Sequence, residues 1–293
     1  MTLPATATRV SYPAGALAST ATVLHVAPAG DGRAAVVTDV TSFHPVDAAW
    51  PDQPADRGVL RAVGRELTIV DAVVAATDGE ALHLGDEIPV RKGTEGWTFL
   101  VAHLVDADVA PAEGDPVEIL ADPAVRAGLS VGHTACHLAS LALNRALATR
   151  WSKEPRQDAL GSPDFDGTAI QSSRIEADGS VDRYRLNKSL RRAGFDTASL
   201  DEAALPALAA EVQATLAEWV AADAPVRIEA EGETLTDRRF WVCELPGGAA
   251  RIPCGGTHAG STGALGTVEV GFELGDDAGT PVLVMTTRAT PRG

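Results

Sequence analysis

The chain has 293 residues, 45% hydrophobic and 22% charged, with 24 basic against 40 acidic side chains and a formal net charge of −16. That length is enough for two domains with separate cores, and the acidic balance argues against generic nucleic-acid binding, which shows as a basic field, while leaving room for a local basic patch. No apolar run reaches the roughly 18 residues of a membrane span, Met1-Thr-Leu-Pro-Ala5 has no signal-peptide pattern, and an odd count of three cysteines without disulfide spacing points to a reducing, cytoplasmic setting.

Residues 1–120 read as an all-β domain. Short β-rich runs recur at 21–26, 34–40, 58–63, 66–75, 79–83, 97–102 and 116–119, punctuated by turn signals at 29–32, 77–79 and 112–115. Such a series suggests a small barrel or a sandwich. Residues 41–56 break the pattern: three prolines and no periodicity make a long loop, either a plain surface loop or one carrying function.

From 121 to 293 the character changes to a second, α+β domain. Asp122-Pro123 is a helix start with proline in the first turn. In the run 131–147, Ala135, Leu138, Ala142 and Ala146 supply a buried stripe, while His133, His137, Ser140 and Asn144 share a more polar one. That polar stripe is either one wall of a site or a set of half-exposed positions. A hairpin is expected over 170–184, turning at 177–180, and Ser199-Leu-Asp-Glu202 reads as a capping box for a helix running to about 222, complicated by Pro206. Strands are expected near 226–231, 239–244, 249–253, 267–274 and 281–287. Segregated rather than alternating elements indicate a two-layer α+β arrangement.

Two pairs of metal-ligating residues stand out: His133-Thr-Ala-Cys-His137 and Cys254-Gly-Gly-Thr-His258. Positions i and i+4 of a helix lie on one face, so both helix imidazoles can address one ion; the glycines of the second pair suit a tight loop. Three imidazoles and a thiolate form a complete donor set for Zn2+. Cys136, between the two helix histidines, points off their face and reads as a small core residue. His44 lies in the long loop, whereas His25, His83 and His103 read as structural. Arg183, Arg185, Lys188, Arg191 and Arg192 form the one basic cluster, fit either for phosphate contact or as a solvated face.

These motifs resemble the zinc motifs of the alanyl-tRNA synthetase editing domain and of its free-standing relatives, the AlaX-type trans-editing proteins. The pentapeptide at 254–258, followed by Gly260-Ser-Thr-Gly-Ala-Leu-Gly266, is the most specific part. Thr41, Phe43 and Pro45 match the family's T-x-F-x-P segment, and Gln53, Pro54, Asp56 and Gly58 match the end of G-G-G-Q-P-x-D-x-G. The three glycines are missing, and Ala264 stands where the family often has glutamate.

The resemblance implies a small N-terminal β-barrel followed by an editing domain shared with threonyl-tRNA synthetases. It implies zinc-dependent hydrolysis of the ester joining serine or glycine to alanine tRNA, with the basic cluster as a place for that tRNA. It also makes Thr41 the candidate for sensing the substrate hydroxyl, the alternative being a threonine that stabilises the loop. The amides of Gly255 and Gly256 are candidates for stabilising the developing oxyanion. Two alternatives compete: a hydrolase of a small-molecule ester or amide on the same scaffold, and a non-catalytic module in which a closed four-ligand zinc is structural.

Overall fold

The computed structural model describes residues 3–62 and 64–291. Met1 and Thr2, and Val63 at the end of one expected strand, lie outside the described residues. The chain divides into two compact units. The first runs to Arg126 and takes in Ile228–Arg239 and Gly255–Thr257; the second comprises Ala127–Arg227, Phe240–Cys254 and the residues from His258 on.

The first unit contains β1 (Arg9–Val10), β2 (Ala18–Pro28), β3 (Arg33–Thr38), β4 (Val40–Thr41), β5 (Gly58–Ala62), β6 (Arg65–Ile69), β7 (Asp71–Thr77), β8 (Leu82–Leu84), β9 (Thr98–Asp106) and β10 (Pro116–Ala121). Eight of them form an antiparallel sheet in the order β6-β5-β10-β2-β3-β9-β7-β8, and β1 and β4 form a separate parallel pair. Alternation decides the buried face: Val117, Ile119 and Ala121 of β10 meet Leu60, Ala62, Leu67 and Ile69 in one core cluster. At Gly58 a Cβ would collide with the Leu120 carbonyl, so β5 can lie this close to β10 only with glycine there.

The single strand expected over 66–75 is two strands. Ile69 pairs with Gly58 of β5, whereas Asp71 pairs with Leu104 of β9. The chain changes partner across Val70, which is 49% exposed and whose N–H donates to the Leu104 carbonyl (2.9 Å). The strand expected from 79 begins only at Leu82, because Gly79 sits at φ +95° in a turn held by Thr77 Oγ1. The loop over 41–56 is fastened from within. Asp56 and Arg126, both nearly fully buried, form a two-pronged ion pair, and Arg126 also donates to the Ser42 (2.7 Å) and Ala16 (3.1 Å) carbonyls.

Next in the chain come α1 (Pro123–Ala146), α2 (Phe165–Ala169), β11 (Ile170–Glu176), β12 (Gly179–Arg185), α3 (Lys188–Ala193), α4 (Leu205–Ala221), β13 (Val226–Ala230), β14 (Arg239–Leu245), β15 (Gly248–Pro253), β16 (Thr267–Asp277) and β17 (Thr280–Thr290). With four α-helices among the described residues and mostly antiparallel sheets, the protein is α+β. Asp122 Oδ1 starts α1, accepting from the N–H groups of Ala124 (2.8 Å) and Val125 (3.1 Å). Within the second unit α1 lies against the β11–β12 turn and α4 lies along β16, an outer strand of the sheet β11-β12-β17-β16. Gln213 of α4 caps that open edge, giving its amide to the Val268 carbonyl and accepting from Val270 N (3.1 Å).

The capping box expected at Ser199–Glu202 does not form. Ser199 Oγ donates to the Asp196 carbonyl, and α4 begins only at Leu205, with Pro206 in its first turn, the position where a missing N–H costs nothing. Two short helices were not among the expected elements. α2 is capped by Asp164 and α3 by Asn187, with Gly194 closing α3 in the left-handed region.

The approach of α1 to the hairpin leaves no room at Gly132: a Cβ there would strike the Glu176 carbonyl and lie 2.6 Å from Gly179 O and 2.8 Å from Gly179 N. Gly132→Ala is therefore expected to lower the unfolding free energy by about 1–3 kcal/mol or more, the range for overpacking against an unyielding neighbour. A denaturation midpoint equal to wild type would refute that packing.

Candidate metal centre

The second unit brings the two ligand pairs together. His133 and His137 project from α1 one turn apart, their ring centroids 4.9 Å apart and stacked. Cys254 follows directly on β15, whose pairing with β14 runs to Pro253 opposite Phe240. Its Sγ lies 3.5 Å from His133 Nε2 and 3.2 Å from His258 Nε2. One donor atom from each of the four residues lies within 4.8 Å of the other three. Donors about 2.0–2.3 Å from a tetrahedral ion sit roughly 3.3–3.6 Å from each other; the contact to His133 falls in that range and the one to His258 is slightly shorter. The cluster could hold a metal ion.

The chemistry of the residues fits that use. His137 Nε2 is buried with no hydrogen-bond partner, which normally costs free energy unless something else engages it. Burial also pushes the His137 pKa down to about 4, leaving the imidazole neutral, the form a metal needs. The buried indole of Trp241 lies against the group, 5.1 Å from the His137 ring and 6.1 Å from His258. Sequence reasoning passed over Trp241, because nothing in the sequence ties a β14 residue to a helix histidine.

The rest of the expected polar stripe does not reach the cluster. Ser140 Oγ donates to the His137 carbonyl (3.1 Å). Asn144 pins the segment before and into α2, donating to Asp158 (3.0 Å) and accepting from Asp166 N (2.8 Å). Cys136 is buried and turned to the sheet, its thiol 3.4 Å from Asp182 Oδ1. Burial and the Asp182 charge push that thiol well above its usual range, so it stays protonated. Asp182 is held by Ser173 (2.6 Å) and Ser180 (2.8 Å), and its pKa is raised by burial. Asp166, bonded by Tyr184 (3.0 Å), is pushed up to about 7, by burial first and then by Asp182. Of the basic cluster, Arg183 and Arg185 lie on β12 and Lys188, Arg191 and Arg192 on α3. All but the half-buried Arg183 are exposed.

The other expected site residues belong to the first unit. Thr41, in β4, is fully buried, with Oγ1 2.9 Å from His103 Nε2 and accepting from Phe43 N (3.0 Å). His103 Nδ1 faces the Val36 carbonyl (3.1 Å), which can only accept; Nδ1 therefore carries the proton, Nε2 is bare, and the Thr41 hydroxyl donates to it. Gly255 is exposed, with space for a Cβ, and Gly256 is buried. Thr257 is clasped by Gln53, whose amide nitrogen donates to the Thr257 hydroxyl (3.0 Å) and whose oxygen accepts from its N–H (3.1 Å). His44 is buried edge-on to Tyr12 (5.1 Å), its backbone N–H held by Asp56 (2.6 Å).

No protein-family model matches the chain. It is similar to the alanine–tRNA ligase of Cutibacterium acnes, 25% identical over 246 residues that make up 84% of this chain and 23% of that one. The alanine–tRNA ligase of Caldivirga maquilingensis is 25% identical over 254 residues (80% and 22%), and that of Pyrobaculum neutrophilum 29% over 255 (82% and 22%). The chain thus spans less than a quarter of the length of the curated relatives it matches. No helix among the described residues is long and apolar enough to cross a membrane.

Two predictions arise. Burial lowers the pKa of both His44 and His103 to about 4, below the unfolded value of about 6.5, so their contribution to stability is present above pH 6.5 and lost as pH falls towards 4. Each adds up to about 1.4 kcal/mol per pH unit to the slope of unfolding free energy over that window. Asp166 acts oppositely, its contribution being lost as pH rises towards 7. Urea titrations of the metal-free protein from pH 7 to pH 4 should show a shallower slope for His103→Asn; an unchanged slope contradicts the assignment. For the cluster itself, Cys254→Ala and His258→Ala should lower Co2+ affinity more than His137→Ala, whose Nε2 alone has no hydrogen bond; equal losses would refute that ranking.

Proposed function

We propose that the chain is an AlaX-type editing hydrolase: a zinc-dependent deacylase that cleaves the ester of serine or glycine wrongly attached to alanine tRNA. One observation carries this reading. His133, His137, Cys254 and His258 converge in a chain that is similar to alanine–tRNA ligases over most of its own length and only a small part of theirs. Three imidazoles and a thiolate, without a carboxylate, favour zinc over magnesium or calcium. A zinc ion there would act as a Lewis acid towards an activated ester.

In this reading the backbone amides of Gly255 and Gly256, lying in sequence between two of the metal ligands, donate to the developing oxyanion. An exposed Gly255 with open space beyond Cα supports that use. Thr41 selects for a substrate hydroxyl either directly or by holding the 41–56 loop; its internal bonds to His103 and Phe43 favour the second. The eight-stranded sheet corresponds to the small barrel of such proteins. Supporting that match, β6 and β7, one residue apart, pair with β5 near one end of the strand order and β9 near the other. Residues 1–120 and 121–293 would be the barrel and editing domains of a cytoplasmic protein. The exposed cations Arg185, Lys188, Arg191 and Arg192, with Arg183, meet tRNA phosphates.

The net charge of −16 favours a second reading, a hydrolase of a small-molecule ester or amide on the same scaffold. Deacylation of Ser-tRNA(Ala) at low salt separates them. Zinc-loaded protein should release serine well above the spontaneous rate, and Cys254→Ala should not. Zinc-loaded wild type without deacylation would sink the editing reading; unfolding on metal removal, with no ester hydrolysed, would make the zinc structural.

A further inference from the structure

The second residue of the first ligand motif, Thr134, is fully buried and its hydroxyl has three partners. It lies 2.8 Å from the Ser130 carbonyl, 3.0 Å from Ala259 N and 3.3 Å from His258 Nδ1. A threonine hydroxyl has one proton and two lone pairs. The Ser130 carbonyl can only accept, so at 2.8 Å it takes the proton. The Ala259 N–H can only donate and uses one lone pair. What the hydroxyl presents to His258 is therefore a lone pair, and Nδ1 must carry the hydrogen. A neutral imidazole protonated on Nδ1 has a bare Nε2, and Nε2 is the atom 3.2 Å from Cys254 Sγ.

We propose that Thr134 is a positioning residue of the metal centre, fixing His258 in the Nδ1–H tautomer and turning its Nε2 towards the ion. This rests on the metal-centre reading above. The bond to Ser130 alone would be the usual i to i−4 contact of a helical threonine. What goes beyond that habit is the grip on two consecutive residues of the other ligand segment, His258 and Ala259, with the Ser130 carbonyl also accepting from Ala259 N (3.2 Å). The turn after Cys254 is thereby tied to α1 by the same hydroxyl that sets the tautomer. Such outer partners of ligating histidines typically contribute 10–100-fold to metal affinity.

Thr134→Val keeps the shape and removes the hydroxyl; Thr134→Ser keeps the hydroxyl. Long-range 1H–15N spectra of the histidine rings in metal-free protein report the tautomer, and competition against a chelator reports Zn2+ affinity. Wild type and Thr134→Ser should show His258 protonated on Nδ1 and bind Zn2+ alike. Thr134→Val should show Nε2–H population and bind 10–100-fold more weakly with unchanged helix content. Wild-type His258 protonated on Nε2, or a valine variant with wild-type tautomer and affinity, overturns the proposal; the first of these outcomes does not depend on the variant folding. If wild type takes up no Zn2+ at all, the metal-centre reading fails separately, while the tautomer comparison still decides the role of Thr134.

Discussion

The closeness of α1 to the β11–β12 turn is the constraint on which the metal centre depends. Gly128 and Gly132 face that turn: a Cβ at Gly128 would be 3.2 Å from the Ala177 Cβ, and at Gly132 none fits. The Gly128 carbonyl also accepts from Asp178 N (2.9 Å). Each helical residue turns the direction of its side chain by about 100°, so seating the glycines sets the azimuth of every neighbour. Cys136, four residues beyond Gly132, is sent to the sheet. His133 and His137, one position further round, are sent towards Cys254 and His258. The glycines fix which face of the helix can be a metal face, and they do so one residue before the first ligand.

The same geometry places the two cysteines of unit 2 nearest the ligands in different surroundings. Cys136 shares a pocket with the buried carboxylate of Asp182, which already accepts from two serines. A second negative charge there would be costly, so the thiol stays protonated. Cys254 is half-exposed and lies next to two imidazoles. A carboxylate buried with hydroxyl and thiol donors but no cation is tolerable because each oxygen is hydrogen-bonded.

The four-residue cluster was legible because metal-donor side chains are chemically distinctive and a helix makes i and i+4 spacing a statement about direction. Strand positions were legible through alternation and turn residues. What sequence could not give was pairing across distance. Val70 is an ordinary strand residue by propensity, and only its two partners, β5 on one side and β9 on the other, make it the break between β6 and β7. Ser199–Glu202 satisfies a capping pattern locally, yet Pro206, placed in the first turn, decided where α4 begins. Thr134 and Trp241 are unremarkable in sequence because their roles come from residues more than a hundred positions away. Gln53 lay inside a recognised motif, but its clasp on Thr257 depends on a contact no local pattern encodes.

Four donors around one ion close a tetrahedron, the usual state of a structural zinc, whereas catalysis needs a position that substrate can take. The donors here are not held alike. His258 is gripped at Nδ1 by Thr134 and lies against Cys254 at Nε2; His133 also lies against Cys254. His137 has only its neighbours' rings, those of His133, His258 and Trp241, and its Nε2 has no hydrogen bond. Stacking restrains the plane of a ring far more than its approach to an ion, whereas a hydrogen bond to the far nitrogen fixes both tautomer and direction. His258 is thus the donor engaged at both ring nitrogens, and His137 the one confined by rings alone. That asymmetry leaves His137, packed beside Trp241, the least restrained of the four candidate donors.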